Sequence, residues 1–452
     1  MTDYPVTFPA PSIPSKPNAA RLLGLYPQRQ EGLWMQRVRV PGGRLTPAQW
    51  QALAEIARTL TPGEPLHLTT RQDLEIHGLT ERTVPEAQRA LADVDLTGFG
   101  GCGDTIRNVT VCPCSGIAPG APDLLPLAGH LTELMQSQPG AFAMPRKFKV
   151  SLSACGDACG LPWINDVGLV AQPSGGAWSF RATVAGSLGQ SPGLGIAWPG
   201  SLQTGEVPAL VLAALRVFAT HGDRENRRRA RLRHVRERLG DEAFCRLLSN
   251  EFDRTRAQFE SADVAVRAPQ PALARRRQVA VTQGNIPPEA ADTFGALADR
   301  EDVKVRIGLR HEVWLFAADV NALDEAVARL PKEWRGGPTV VACPGARWCP
   351  HGLVDSQAMA RRLRDALATT ATDTWIAVSG CPNGCAHSAV ADIGLTGRLV
   401  RAGARRREGY RVMAGGNAAR EPRLATVLQE KALTEQVHDI IRARLPKRRR
   451  PA

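Results

Sequence analysis

The sequence lacks the features of membrane and exported proteins. No apolar run approaches the roughly 20 residues that a membrane-spanning helix requires. The opening segment, residues 1–18, is rich in proline and holds no apolar stretch of the signal-peptide kind. Cysteine is also scarce, because ten cysteines in 452 residues are too few for a disulfide scaffold. We therefore expect a cytoplasmic protein without a membrane partner.

A dinucleotide-binding fingerprint is missing as well. No G-x-G-x-x-G motif follows a predicted strand, so the chain shows no nicotinamide or flavin domain of its own. The chain is long and has an ordinary apolar content. Its 452 residues, 43% of them hydrophobic, suffice for two or more domains with sizeable cores. This composition fits a large enzyme and says little more.

Four of the cysteines form two closely spaced pairs. Cys343 and Cys349 are a C-x5-C pair, and Cys381 and Cys385 are a C-x3-C pair just over thirty residues further on. Four convergent thiolates are the ligand set of a [4Fe-4S] cluster. Structural zinc sites mostly use tighter C-x2-C spacings, and the Pro-Asn-Gly between Cys381 and Cys385 lets the backbone approach an inorganic core. Buried free thiols or disulfides remain the alternative.

An internal duplication runs through the chain. Residues 153–159 followed by 166–169 align without gaps on residues 379–385 followed by 392–395, each pair offset by 226 positions. Upstream, the segment 43–47 is echoed by 284–288. Two copies of one unit are predicted, each a small β-α-β piece followed by a larger α/β piece.

The first copy carries clear signals for its first elements. Thr46 is predicted as a helix N-cap with Pro47 at the first helical position. An apolar stripe follows at helical spacing and then a strand-like alternation, and a helical stretch over residues 207–240 closes this half. The stripe consists of Trp50, Leu53, Ile56 and Leu60, and the alternation of Leu66, Leu68, Leu74 and Ile76.

These motifs resemble those of a known family, the siroheme-dependent sulfite and nitrite reductases of the assimilatory type. The cysteine pairs match, with C-P-N-G-C followed by the Asp-Ile-Gly-Leu of 392–395. Further matching segments follow the family's order along the chain: 37–43 (RVRVPGG), 69–78 (TTRQDLEIHG), 103–110 (GDTIRNVT), 145–149 (PRKFK) and 415–417 (GGN).

The resemblance implies a mixed α+β and α/β fold built as a duplicated unit about a pseudo-twofold. Two ferredoxin-like half-domains and two siroheme-binding α/β domains are expected. The predicted boundaries are an N-terminal arm at 1–33, a first half-domain at 34–96, a first α/β domain at 97–262, a linker with the second half-domain at 263–335, a second α/β domain holding siroheme and cluster at 336–446, and a basic tail at 447–452.

The resemblance also implies roles for named residues. The cluster ligands are Cys343, Cys349, Cys381 and Cys385, and Cys385 is also the axial bridge to the siroheme iron. The cations over the distal face of siroheme, which bind the oxyanion and help to deliver protons, are Arg37, Arg107, Lys147 and Lys149. The residues that contact the siroheme itself are Arg71, Arg146, Asn383 and Gly416.

The expected activity is the six-electron reduction of sulfite to sulfide. Because the chain shows no flavin or nicotinamide domain, electrons are expected from an external donor, either ferredoxin or a separate flavoprotein. Lys149 ends the K-F-K motif, where nitrite-specific members commonly carry Asn, and this favours sulfite. The alternatives are a ferredoxin-type nitrite reductase, an oxygenase of corrin biosynthesis and a non-catalytic iron-sulfur protein.

The formal net charge is +13, and residues 224–238 form the strongest basic run. Three explanations compete with nucleic-acid binding: a solvated helix face, cations that pair with siroheme carboxylates, and a surface that attracts an acidic ferredoxin. We expect no nucleic-acid partner.

The first repeat has four cysteines of its own, Cys112, Cys114, Cys155 and Cys159, but Ala118 stands near the position of Cys349. A decayed duplicate site with buried thiols is expected here, and a second cluster is the alternative.

Overall fold

The computed structural model describes residues 10–258, 266–268, 273, 275–335, 338–367 and 374–443. The predicted basic tail, 447–452, lies outside the described residues, as does most of the segment 259–274. Among the helices in the described ranges, none has both the length and the apolar character needed to cross a membrane.

The first small unit is an antiparallel sheet with three helices. The predicted helix begins after Thr46, whose hydroxyl accepts the N–H of Gln49 at 3.2 Å while the Gln49 side chain accepts the N–H of Thr46 at 3.0 Å. Its predicted stripe faces the core, with Leu60 half-buried at its end. The elements are α1 (Pro17–Leu22), β1 (Leu25–Pro27), β2 (Trp34–Val38), α2 (Pro47–Leu60), β3 (Leu66–Leu68), β4 (Leu74–Leu79) and α3 (Thr83–Ala92).

The first α/β domain follows, with a six-stranded sheet. Parallel pairing joins β5, β6 and β7, and the rest of the sheet is antiparallel, in the order β10-β8-β7-β6-β5 with β9 beside β8. The elements are β5 (Thr110–Val111), α4 (Leu125–Gln136), β6 (Val150–Ser153), β7 (Val167–Ser174), β8 (Ala177–Val184), β9 (Ile196–Ala197), β10 (Leu202–Gln203), α5 (Val207–His221), α6 (Leu232–Leu239) and α7 (Asp241–Arg256).

The predicted helical stretch over 207–240 is two helices with a break between them. Helix α5 ends at His221, and in the break the Asp223 carboxylate accepts the N–H groups of Glu225 and Asn226 at 2.9 and 2.8 Å. This local hydrogen bonding competes with the helix. Helix α6 begins only at Leu232.

The second small unit shares its core with the first. Helices α2 and α8 pack together, with the rings of Trp50 and Phe294 5.2 Å apart. Strand β12 also pairs with β3, so that one five-stranded sheet, β1-β2-β4-β3-β12, contains strands of both halves. The elements are β11 (Arg275–Ala280), β12 (Asn285–Ile286), α8 (Pro288–Ala298), β13 (Val303–Ile307), β14 (Glu312–Ala317) and α9 (Val320–Ala328), and the remaining strands form a sheet in the order β11-β14-β13.

The second α/β domain repeats the first in register. Val150 pairs with Val167 between β6 and β7, and Ile376 pairs with Ile393 at the same step of the second sheet, 226 residues further on. The sheet order is β15-β16-β17-β18-β19, with elements β15 (Thr339–Ala342), α10 (Gly345–Trp348), α11 (Ser356–Leu367), β16 (Trp375–Ser379), β17 (Ile393–Ala402), β18 (Arg405–Ala414), β19 (Thr426–Leu433) and α12 (Val437–Arg442). The predicted duplicated α/β fold is confirmed.

Candidate functional site

The cations predicted over the siroheme come together in the structure. Arg37 lies in β2, Arg107 precedes β5, and Lys147 and Lys149 precede β6. These charges lie close enough to affect one another. Arg37 lowers the pKa of Arg107, Arg107 lowers the pKa of Lys147, and Lys147 lowers the pKa of Lys149. We call these four residues the cation group. Three segments of the first half thus place positive charge in one region.

Arg37 is held by a buried carboxylate. Its guanidinium forms an ion pair with Glu75 of β4, and the same carboxylate lies 3.1 Å from Nε2 of His77. Burial alone would lower the pKa of Arg37, but Cys102 and Glu75 raise it above its usual value. Arg37 therefore keeps its charge in a half-buried position.

Arg107 is fixed by main-chain carbonyl groups. Its guanidinium donates to the carbonyl oxygens of Gly101 and Gly103, the latter at 2.7 Å. Gly103 has a φ of +80°, which glycine adopts without strain, so the turn presents its carbonyl to the arginine. Burial lowers the pKa of Arg107. The turn thus determines where this charge sits.

The two lysines of the cation group are half-buried, and both have depressed pKa values. Burial lowers the pKa of Lys147 to about 7, and the Cys385 thiol acts in the opposite direction. Burial also lowers the pKa of Lys149, with Arg71 and Lys147 adding to the effect. An anion bound among these amines would stabilise their charged forms, because its negative charge offsets the desolvation of the ammonium groups and their mutual repulsion.

Arg71 occupies the tight turn between β3 and β4, where Gln72 has a φ of +62°. Its two terminal nitrogens donate to Oδ1 of Asn165 at 2.9 and 3.0 Å. Burial lowers the pKa of Arg71 to about 10. The turn also reaches the second half, because the Thr70 hydroxyl donates to the carbonyl oxygen of Cys385 at 2.9 Å. Arg71 therefore lies between the cation group and the cysteines.

The other predicted siroheme contacts are placed differently. Arg146 donates to Oδ1 of Asp104 at 2.9 Å and is near Lys147. Asn383 is exposed in the loop that carries the second cysteine pair. Gly416 is buried against the backbone of Val390, and a side chain there would overlap that residue. The described contacts do not join Asn383 or Gly416 to the cation group.

The four predicted cluster cysteines lie at one end of the second α/β sheet. The Cys343 sulfur, just after β15, accepts the N–H of Gly380 at 3.1 Å. Cys349 follows α10, and Cys381 and Cys385 follow β16. Burial raises the pKa of Cys343 and of Cys381 to about 12 and that of Cys349 to about 11. Such thiols ionise readily only when a metal supplies positive charge.

The sulfurs of these four cysteines are not packed tightly around one point. Among the described residues, no three of them form a group whose sulfur atoms all lie within 4.8 Å of one another. Sulfurs at the corners of a cubane are roughly 6 Å apart, so this looser spacing suits a [4Fe-4S] cluster. Cys385 is exposed and lies near Lys147, which leaves its sulfur open on the side of the cation group.

The cation group also fits an anionic macrocycle. In the described part of the chain, four guanidinium Nε atoms near the site are buried without a hydrogen-bond partner, those of Arg37, Arg71, Arg107 and Arg231. Buried donors are normally satisfied, and carboxylates are the natural partners of guanidinium groups. These residues therefore fit a siroheme, which carries many carboxylates.

One site residue was missed by sequence reasoning. Arg231 is 7% exposed, pairs with the buried Asp166 at 2.6 Å and lies near Lys147 and Lys149. It belongs to the basic run 224–238, in which Arg233 and His234 are buried as well. The solvated-face explanation of that run is therefore wrong for its centre. The only signal was the run itself.

Comparisons with known proteins place the chain in a family. The family model described as the nitrite and sulphite reductase 4Fe-4S domain matches residues 102–255 and 334–445. The model of the nitrite/sulfite reductase ferredoxin-like half domain matches residues 26–94. The chain belongs to the siroheme- and 4Fe-4S-dependent sulfite and nitrite reductase family. It is an oxidoreductase whose cofactors are siroheme and a [4Fe-4S] cluster.

Relatives with both substrate names are similar to the chain. An assimilatory ferredoxin-dependent nitrite reductase of Haloferax mediterranei is 26% identical, over 92% of this chain and 79% of the relative. A ferredoxin sulfite reductase of Mycobacterium tuberculosis is also 26% identical, over 93% and 83%. The solved structure of the M. tuberculosis NirA protein superposes with a TM-score of 0.77 at 23% identity, covering 93% of this chain and 85% of that one.

Proposed function

We propose that this chain reduces sulfite to sulfide in a six-electron reaction, with siroheme and the [4Fe-4S] cluster as its redox groups. The observation that carries the proposal is the cation group beside the exposed Cys385. An oxyanion placed there would meet Arg37, Arg107, Lys147 and Lys149, which would stabilise its charge. The ligand roles assigned to the cysteines and to Arg71, Arg146, Asn383 and Gly416 belong to this proposal.

The four cysteines of the second repeat would hold the cluster, Cys385 would also contact the siroheme, and the bound groups would supply the electrons. The residues of the chain would do the rest. Arg37 and Arg107 are rigidly held and would orient the anion. Lys147, with a pKa of about 7, would release a proton at neutral pH more readily than an ordinary lysine. Each oxygen that leaves as water needs such protons.

An external protein would deliver the electrons. The names of the Haloferax and Mycobacterium relatives specify ferredoxin as the donor of those proteins. We propose ferredoxin or a separate flavoprotein as the donor here, acting in the cytoplasm on an enzyme of sulfur or nitrogen assimilation. The basic charge of the chain would favour an acidic partner.

Nitrite reduction to ammonium is the second candidate, because relatives of that name are equally similar. The residue that favours sulfite is Lys149. Sulfite carries more negative charge than nitrite near neutral pH, so an added cation gains more with sulfite. An oxygenase of corrin biosynthesis is a third candidate, and it would not need the whole cation group.

The experiment is to purify the cofactor-replete enzyme and reduce it with a chemical donor. We expect siroheme absorption together with consumption of sulfite and formation of sulfide. Siroheme absorption with turnover of nitrite alone would show that the enzyme is a nitrite reductase. A protein that turns over neither anion would contradict the reductase proposal and favour the oxygenase.

A further inference from the structure

A second set of cysteines converges in the first repeat, away from the proposed cluster. The sulfur atoms of Cys112, Cys155 and Cys159 all lie within 4.8 Å of one another, and those of Cys155 and Cys159 are 3.3 Å apart. Cys114 lies within hydrogen-bonding reach of Cys155 and Cys159. Three thiols are therefore gathered at one point with the fourth beside them, where the sequence predicted a decayed site.

Three of these cysteines occupy positions equivalent to cluster ligands. The N–H of Cys112 donates to the carbonyl oxygen of Leu152 at 2.9 Å, and its sulfur accepts the N–H of Ala154 at 3.1 Å. The corresponding bonds in the second repeat are those of Cys343 with Val378 and Gly380, at 3.2 and 3.1 Å. Cys155 and Cys159 match Cys381 and Cys385 by the offset of 226.

The fourth cysteine is where the repeats differ. Cys114 follows Cys112 by two positions, whereas Cys349 follows Cys343 by six. The Cys114 sulfur lies near those of Cys155 and Cys159, although it is not within 4.8 Å of all three other sulfurs. The first repeat is therefore more compact than the second.

This compactness selects the kind of metal site. Four sulfurs around a tetrahedral zinc ion, with Zn–S distances of about 2.3 Å, lie about 3.8 Å apart. The corners of a cubane would hold them roughly 6 Å apart. The measured separation of 3.3 Å between Cys155 and Cys159, within a group that spans no more than 4.8 Å, matches one ion.

We propose that Cys112, Cys114, Cys155 and Cys159 bind a single tetrahedral Zn²⁺ ion. Cys112 and Cys114 are buried, and Cys155 and Cys159 are half-buried, so all four positions of the ion would be filled by protein sulfurs, as in structural zinc sites. Its role is to stabilise the fold. It joins the segment after β5 to the loop after β6.

A contact from the second half supports this role. Nη1 of Arg276, in β11, donates to the Cys114 sulfur at 3.4 Å. A zinc ion with four thiolates carries a net negative charge, and the guanidinium would offset it. The site would thus tie the second ferredoxin-like half-domain to the first α/β domain.

The test is a metal count on the holoenzyme by mass spectrometry, in wild type and in Cys114→Ser and Cys155→Ser. Wild type is expected to hold about one zinc beside about five irons. Both variants should lose the zinc, keep the iron and siroheme absorption, and melt at a lower temperature. Cys245→Ser is the matched control, because Cys245 lies in α7 outside both cysteine sets, and it should keep the zinc.

Several outcomes would overturn the proposal. A wild-type enzyme with about nine irons would show a second cluster in the first repeat. Wild type without zinc would show that the thiols bind no such ion. Zinc retained at the wild-type level in both variants would place the ion elsewhere. Each result is read from the metal count and not from turnover, so failure of the reductase proposal would be distinguishable.

Discussion

At the scale of single residues, Arg37 shows how a charge is kept in a poorly solvated place. The Glu75 carboxylate holds it, and Glu75 is in turn contacted by His77. Burial alone would raise the pKa of Glu75, but Arg37 and His77 lower it below its usual range. A carboxylate with a depressed pKa stabilises the fold above its unfolded pKa, and this stability is lost as the pH falls through the folded pKa.

Glu75→Gln therefore gives a pH-dependent prediction. At pH 7 the variant should lose about 3 kcal/mol of unfolding free energy, because Arg37 keeps its charge without its partner. The difference from wild type should shrink as the pH falls below about 4.5, where the unfolded carboxylate takes up a proton. Denaturant unfolding at a series of pH values measures it. A difference that is constant with pH would show that the ion pair is not responsible.

Lys149 gives the second residue-scale prediction. Lys149→Asn should shift the ratio of kcat/KM values toward nitrite by more than it lowers total activity, because the amide suffices for the smaller monoanion. Kinetics with both anions measures the ratio. Lys332→Asn, at an exposed position, is the control and should leave it unchanged. An equal loss with both anions would show that Lys149 does not discriminate between them.

The sequence identified the four residues of the cation group but not Arg231, which lies near two of them. Arg37, Arg107, Lys147 and Lys149 stand in recognisable motifs, so their resemblance to family positions could be seen. Arg231 could not be identified, because its burial depends on Asp166, which is 65 positions away. A run of arginines does not show which of its members turns inward.

At the scale of elements, the duplication was the most predictable feature. Its constant offset of 226 residues reappears in the strand register. The pairing of β6 with β7 therefore predicts the pairing of β16 with β17. The helix break after His221 was not predicted, although Gly222 and the polar residues 223–229 interrupt the apolar pattern there. The sequence grouped Cys114 with the other three thiols but predicted a decayed site, because the spacing of Cys114 has no counterpart in the second repeat.

Equivalent glycines offer a prediction at this scale. A Cβ at Gly168 would overlap the carbonyl oxygen of Pro162, and one at Gly394 would overlap that of Ser388, its counterpart 226 positions on. Gly168→Ala and Gly394→Ala should each lower the free energy of unfolding by more than about 2 kcal/mol. Gly156→Ala, which would meet nothing within 4 Å, should be nearly neutral. Chemical denaturation compares them, and neutral results at both equivalent glycines would show that the backbones relax freely.

At the scale of the whole molecule, the two repeats have different tasks. The second provides the proposed cluster cysteines, and the first provides the cation group and the compact thiols. Cys385 of the second repeat lies against the first repeat, through Thr70 and Lys147. Loss of this one thiolate should therefore affect both redox groups.

Cys385→Ser tests that division. The variant should disturb the cluster and the siroheme iron together, because a hydroxyl is a harder and poorer ligand for this iron than a thiolate. Cys155→Ser should leave both cofactor spectra nearly intact. Optical and paramagnetic resonance spectra of the two variants measure this. Equal loss of cofactor in both would show that the repeats have been assigned the wrong way round.

The central claim is that the cation group serves sulfite. Steady-state kinetics of the cofactor-replete enzyme with sulfite and with nitrite, under one chemical donor, tests it most directly. The account predicts a higher kcat/KM for sulfite. A preference for nitrite of about tenfold, equivalent to about 1.4 kcal/mol of transition-state stabilisation, would contradict it and make nitrite the substrate.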